Sequence, residues 1–387
     1  MGYFKNIKNN FKLKHYTNYI VVAAALVLFI VLGSMGMIGR SNLGLLHRIA
    51  YSIVLAVSLN LVVGFLGELS LGHAGFMCVG AYIGCFFALR CGDLIGNPLI
   101  TMIIAMLIGG VVAAVFGFII GLPALRLKGD YLAIVTLAFG EIVRNLFKNL
   151  PKNLFGGASG MQTAKISYNQ KTLYIISFVV VLVVLFLVQN LIRSKHGRAI
   201  TAIRDNEIAA RAMGINVTYY KLFVFVIAAF FAGIAGVMYG FQVSPIEQSF
   251  FSYNYSIEIL VMVVLGGMGS IGGSIAAATL ITYVNFVLQN HLSGGLAALK
   301  LLIYAIILIL IVIFSNAPAL KPLRERFNLK AFVRKFTKPH TKPHNIMDDD
   351  AEWNRVETKI KMDELLSVDF QQKNTYTPDK KSKKEDK

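Results

Sequence analysis

Charge is scarce in this chain. Only 15% of its 387 residues are Asp, Glu, Lys or Arg, against about 25% in an ordinary soluble domain. With 56% hydrophobic residues and a mean hydropathy of +0.63, too few polar side chains remain to keep a folded surface in water. That excludes a secreted soluble enzyme, a disordered protein and a soluble nucleic-acid binder. It predicts an all-α, polytopic helical membrane protein. Cysteine is rare as well. Cys78, Cys85 and Cys91 stand seven and six positions apart with no cluster of histidines beside them, which fits no zinc pattern. They read as buried thiols in an apolar helix, and no metal site is expected. A nucleotide-binding loop is missing too. The phosphate cradle needs a Gly-rich turn followed by Lys and Ser/Thr. The nearest approach, 67–74, has the glycine spacing but offers His73 and Ala74 at those places. HExxH, GxSxG and paired-carboxylate patterns are absent. The chain is therefore expected to be no enzyme, with no catalytic residue and no cofactor of its own.

What charge there is lies unevenly. The last 70 residues, from Pro318, hold 17 Lys and Arg and 12 Asp and Glu, half of all the charged side chains. The organisation predicted is a basic N-terminus over 1–18, a membrane body over 19–317, and a charged, partly disordered tail over 318–387. The net charge of +18 points to membrane lipid rather than nucleic acid, since basic residues beside spans mark the cytoplasmic side and face anionic headgroups. The apolar run after the basic start is too long for a signal peptide, and no small-residue cleavage site follows before Arg40. It reads as a first span with its N-terminus inside.

Hydropathy marks ten candidate spans: 19–38, 49–65, 71–89, 98–120, 131–150, 173–192, 219–239, 256–265, 274–288 and 298–314. The run of glycines over 266–273 cuts the stretch 256–288, so it reads as two short helices or one interrupted span. With 71–89 also readable as re-entrant, the count lies between eight and ten. An even number puts Lys5, Lys8, Lys12, Lys14, Arg126, Lys128, the cluster from Arg193 to Arg211 and the start of the tail on one side. The other side then receives Arg40, Arg48, Arg90, Lys152, Lys165 and Lys171. The richer side is cytoplasmic, as are both termini.

Three segments are too polar for their setting. In 58–82, Asn60, Glu68, Ser70 and His73 interrupt an apolar run studded with glycines, Gly72 among them. Glycines permit a broken helix whose freed backbone lines a solute path; the plainer reading is close packing through small residues. Asn60, Ser70, Gly72, His73 and Glu141 are the path candidates. In 122–148, Glu141 and Arg144 stand three apart on one helix face and form either a structural pair or part of a transport route. In 193–214, a helix is predicted over 199–213, with Ile200, Ile203, Ile208 and Ala212 as an apolar stripe. Such a helix suits a groove on a partner or the membrane surface.

Taken together, these stretches resemble the LivM-type permease of branched-chain amino-acid ABC importers, over about residues 45–288. The resemblance rests on LNLVVGFLGELSLGHAGFMCVGAY, on LPALRLKGDYLAIVTLAFGEIVRN, on SKHGRAITAIRDNEIAARAMGINVTYYKLFVFVIAAFFAGIAGVMYG and on IEILVMVVLGGMGSIGGS. It implies an importer of Leu, Ile and Val in the bacterial cytoplasmic membrane. Its partners would be a second, H-type permease, two ATP-binding subunits that carry ATP and Mg, and an extracytoplasmic solute-binding protein. It also implies an ATPase-coupling loop with the pattern E-A-A-x-x-x-G. Ala209, Ala210 and Gly214 keep that spacing, whereas the acid, Glu207, stands one place early and Ile208 takes its position. Arg198 and Arg204 complete the loop's expected contacts. Two rival readings stay open: a permease of the same family for urea, amides or another small polar solute, and an ATP-independent secondary transporter.

Overall fold

A computed structural model describes residues 40–127, 129–166 and 170–291, together with Ile306 and Ile309. Among them there is no β-strand; one isolated bridge pairs Met161 with Ile246. The helices are α1 (Arg40–Asn60), α2 (His73–Ile95), α3 (Pro98–Ala124), α4 (Asp130–Asn149), the single turn α5 (Lys152–Phe155), α6 (Gln170–Arg193), α7 (Lys195–Asp205), α8 (Glu207–Ala212), α9 (Val217–Gln242), α10 (Tyr253–Gly266) and α11 (Ile271–His291). A π-helical turn, Leu61–Leu66, extends α1 and ends at Gly67, whose φ of 82° only glycine adopts freely.

Local chemistry sets the boundaries. Asn97 accepts from Leu99 N at the start of α3, with Pro98 at the first helical position. Ser194 caps α7 through His196 N and Gly197 N. Asn216 caps α9 through Tyr219 N.

Six described helices are long and apolar enough to cross a membrane: Asn42–Leu66, His73–Ile95, Pro98–Ala124, Thr172–Arg193, Val217–Gln242 and Ile271–Asn290. Helix α4 has the length but carries Glu141, Arg144 and Lys148. Helix α10 has 14 residues, about 21 Å at 1.5 Å per residue, short of the ~30 Å of hydrocarbon. These eight account for eight of the ten segments expected. The other two, 19–38 and 298–314, and the N-terminal and tail regions, lie outside the described residues.

One expectation changes. Arg40 and Arg48 are expected in a loop, but α1 begins at Arg40, so Arg48 lies within the helix. Of the two readings of 256–288, the structure has the two helices, α10 and α11, packed on each other.

At the centre, α9 lies against α2 and α3. Small residues let the backbones meet. A Cβ on Gly80 would fall on the Gly233 carbonyl, and one on Gly236 would fall on the Met77 carbonyl. Without water to drive helices together, such close van der Waals contact holds a membrane bundle. Outward, Ile103, Leu107, Val111 and Val115 form an exposed row on α3, and Val179, Val183 and Phe186 another on α6. In a bilayer these rows face acyl chains.

Candidate functional site

The segment predicted as one helix over 199–213 is an elbow of two, because Asn206 leaves the helical region at φ −158° and ψ 105°. Its side chain then accepts from Ile208 N and Ala209 N and starts α8. The break divides the expected stripe. Ile200 and Ile203 are buried under α7, while Ile208 is 81% exposed and Ala212 is exposed. Ala210 is buried and Ala209 exposed. Gly214 closes α8 at φ 82°. Its N–H donates to Arg211 O while Ile215 N donates to Ala210 O, the Schellman arrangement that favours glycine. Ile208 and Met213, the latter 82% exposed, give the free side of the elbow an apolar face. Arg198 is exposed on α7.

The opposite side of the elbow is tied to the bundle through Arg204 and Glu207. Arg204 donates from its guanidinium to Gly64 O at 3.0 Å, reaching the π turn at the end of α1. Lys221, near the start of α9 and only 4% exposed, donates to Glu68 at 2.5 Å and to Glu207 at 3.3 Å. Glu207 also pairs with Arg211 at 3.0 Å. The acid of the elbow is therefore directed into the protein and joins the turn after α1, the elbow and α9. Composition flagged Glu68 and Glu207 separately. It gave no sign that Lys221, 153 residues from Glu68, bridges them.

The path candidates are placed as follows. Asn60 is buried and clamps the Gly-rich turn between α10 and α11. Its Oδ1 accepts from Gly269 N at 2.9 Å, and its Nδ2 donates to Ser270 O at 3.2 Å and Ser274 Oγ at 3.0 Å. His73, 2% exposed, lies 2.8 Å through Nε2 from Ser58 Oγ on α1. Gly72 abuts the Thr136 carbonyl on α4, with no room for a Cβ. Ser70 is buried, and its hydroxyl has no hydrogen-bond partner. Around 67–72 the backbone is non-helical, so a short unwound stretch sits between α1 and α2 where the sequence is most polar.

Glu141 lies midway along α4. It holds Arg144 at 2.6 Å through Oε2, and its Oε1 accepts from Tyr253 N at 3.2 Å. The carboxylate thus serves the first N–H of α10, where the helix dipole favours negative charge. Glu141→Gln is expected to lower the amount of protein in the membrane, because a pair this accessible and a cap are each worth about 1 kcal/mol. Quantitative blotting beside uptake assays checks this. Uptake per molecule should stay near wild type, whereas full protein level with lost uptake would assign the carboxylate to transport itself.

A polar pair at the far end of the bundle was not anticipated. His47 on α1 contacts Ser177 Oγ on α6 at 2.5 Å and Met238 O on α9 at 2.8 Å. Its only sequence signal is a lone histidine in an apolar run.

Comparison with known proteins decides the family. The family described as branched-chain amino acid transport system / permease component matches residues 41–312. The chain belongs to this permease family. Within it, the high-affinity branched-chain amino acid transport system permease protein LivM of Salmonella typhimurium is 34% identical over 324 residues, 76% of this chain and 73% of that one. LivM of Escherichia coli K12 is 34% identical over 323 residues, with the same coverage. The high-affinity branched-chain amino acid transport system permease protein LivH of Salmonella typhimurium is 23% identical over 258 residues, 62% of this chain and 82% of LivH. No solved structure matches. The match spans α1 to α11, so the elbow, the Lys221 bridge and the Asn60 clamp all lie inside the permease region.

Proposed function

We propose that the chain is the M-type permease subunit of an ATP-driven importer for leucine, isoleucine and valine, working beside a second, H-type permease. Two ATP-binding subunits would hold ATP and Mg and perform hydrolysis, and an extracytoplasmic protein would deliver the solute. The protein would lie in the bacterial cytoplasmic membrane with the elbow end and both termini in the cytoplasm. The LivM and LivH relatives support the substrate class and the paired permeases.

One observation carries the coupling: the elbow is apolar outward and tied inward. Ile208 and Met213 offer a face to a groove on the ATPase. Arg204 and Glu207 transmit its displacement to Gly64, Glu68 and Lys221. The end of α1 and the start of α9 then move with the ATPase. Two arrangements of the path become linked to two arrangements of the ATPases, and a loaded binding protein biases the same equilibrium from outside.

The test is Ile208→Glu combined with Met213→Glu, two exposed positions where charge does not disturb the fold. Membrane level should be unchanged. The ATPase should no longer co-purify, because a charge buried unpaired at a docking face costs several kcal/mol, about 3–5 when nothing compensates it. Leucine uptake should vanish. Normal uptake with the ATPase still bound would remove the elbow from the coupling role.

A further inference from the structure

A cavity of about 360 Å³ opens among α1, α9, α10 and α11, with Arg48, Glu258 and Gln289 among its lining residues. It lies at the end of the bundle away from the elbow, since Arg48 belongs to the first turns of α1 and Gln289 to the last of α11. Its size falls at the small end of the roughly 300–1,000 Å³ typical of ligand sites, enough for one small solute and too little for the paired chains of a lipid.

The lining combines groups of three kinds. Arg48 supplies a cation and leans on a neutral amide, donating to Gln289 Oε1 at 3.3 Å. Glu258 supplies an anion, and among its contacts it accepts from Asn285 Nδ2 at 2.7 Å. Tyr51, Phe250, Met262 and Phe286 give an apolar wall. Ionisable groups of both signs in a membrane bundle are costly and mark functional sites by default.

Thr282 also lines the cavity. It is 8% exposed, and its hydroxyl oxygen is closed off from solvent and has no hydrogen-bond partner. Its neighbour Thr279 meets the same need by donating to Ile275 O at 2.8 Å, so the helix offers a local solution that Thr282 does not take. A buried hydroxyl left unpaired weakens a fold unless something else pairs with it.

We propose that this chamber holds the zwitterion of an aliphatic amino acid on its way through the permease. Arg48 takes the carboxylate, Glu258 the ammonium, the Thr282 hydroxyl a further hydrogen bond once its side chain turns into the chamber, and the Tyr51–Phe250–Met262 wall the side chain. The assignment deepens the importer reading and rests on it. Holding is weak, because a conduit must release what it binds.

The experiment uses the assembled transporter without its solute-binding protein, in membrane vesicles, with Cys78, Cys85 and Cys91 replaced by serine. Thr282→Cys is introduced, with Met262→Cys as a second reporter should the first fail to assemble. A water-soluble methanethiosulfonate is expected to label the new cysteine. Leucine should slow labelling saturably, by about tenfold when it reaches about ten times its Kd, and urea should not. Adding Glu258→Gln should leave labelling intact and abolish the protection.

Absence of labelling, or labelling that leucine does not slow, overturns the chamber when whole cells of the same background still take up leucine. Labelling blocked by bilayer lipid regardless of leucine overturns it equally. If whole cells with the unaltered protein take up no leucine, the importer reading itself fails and the amino-acid chamber fails with it.

Discussion

Lys221→Met should leave little assembled protein in the membrane. The lysine is 4% exposed and bridges Glu68 and Glu207. Methionine matches its length and removes the charge, so two carboxylates remain close together in a largely dry site. Breaking a buried ionic cluster from one side costs about 3–5 kcal/mol, a large part of the margin by which a domain is stable. Size-exclusion profiles of solubilised protein would show a smaller, aggregated peak. Glu68→Gln added to Lys221→Met should recover much of the loss, because Glu207 keeps Arg211 as partner. The double-mutant cycle then reports a coupling between positions 68 and 221. Equal stability of Lys221→Met and the unaltered protein would show that the bridge contributes nothing.

Gly236→Ala should destabilise the protein even though alanine is the better helix former by about 1 kcal/mol. The two effects have opposite signs, which makes the result informative. A Cβ at position 236 would fall on the Met77 carbonyl and 2.8 Å from Ala81 N. Both obstacles are backbone, so α2 and α9 must separate. Overpacking of this kind costs about 1–3 kcal/mol or more. The melting midpoint of the purified protein should fall. Gly92→Ala is the control, since its nearest neighbour is the Thr101 methyl at 3.5 Å, and it should be neutral or stabilising. A rise in the midpoint for Gly236→Ala would mean that the helices are not in backbone contact.

The membrane helices were legible because lipid demands long apolar runs. The spans expected at 98–120, 173–192 and 219–239 correspond to Pro98–Ala124, Gln170–Arg193 and Val217–Gln242, each longer by the turns whose polar caps hydropathy ignores. The polar interruptions at Asn60, Ser70 and His73 coincide with the unwound link between α1 and α2. What they bind there was not legible. Asn60 meets Ser274 across 214 residues, and a single sequence carries no signal for a pairing that distant. Asn206 did leave a local sign. An asparagine following an aspartate in the middle of a predicted helix is a natural N-cap, and it accounts for the elbow that a smooth apolar stripe concealed.

Helix α10 is held at both ends by side chains that do not belong to it. Glu141 on α4 receives the N–H of Tyr253, and Asn60 on α1 receives the N–H of Gly269 just past its last turn. A rod pinned to two different levers cannot follow both. If α1 and α4 tilt relative to each other during a transport cycle, one pin must slip or the rod must pivot. The pin that slips would distinguish the resting state from the working one, and a spin label at each anchor would read the change as a jump in separation rather than a drift.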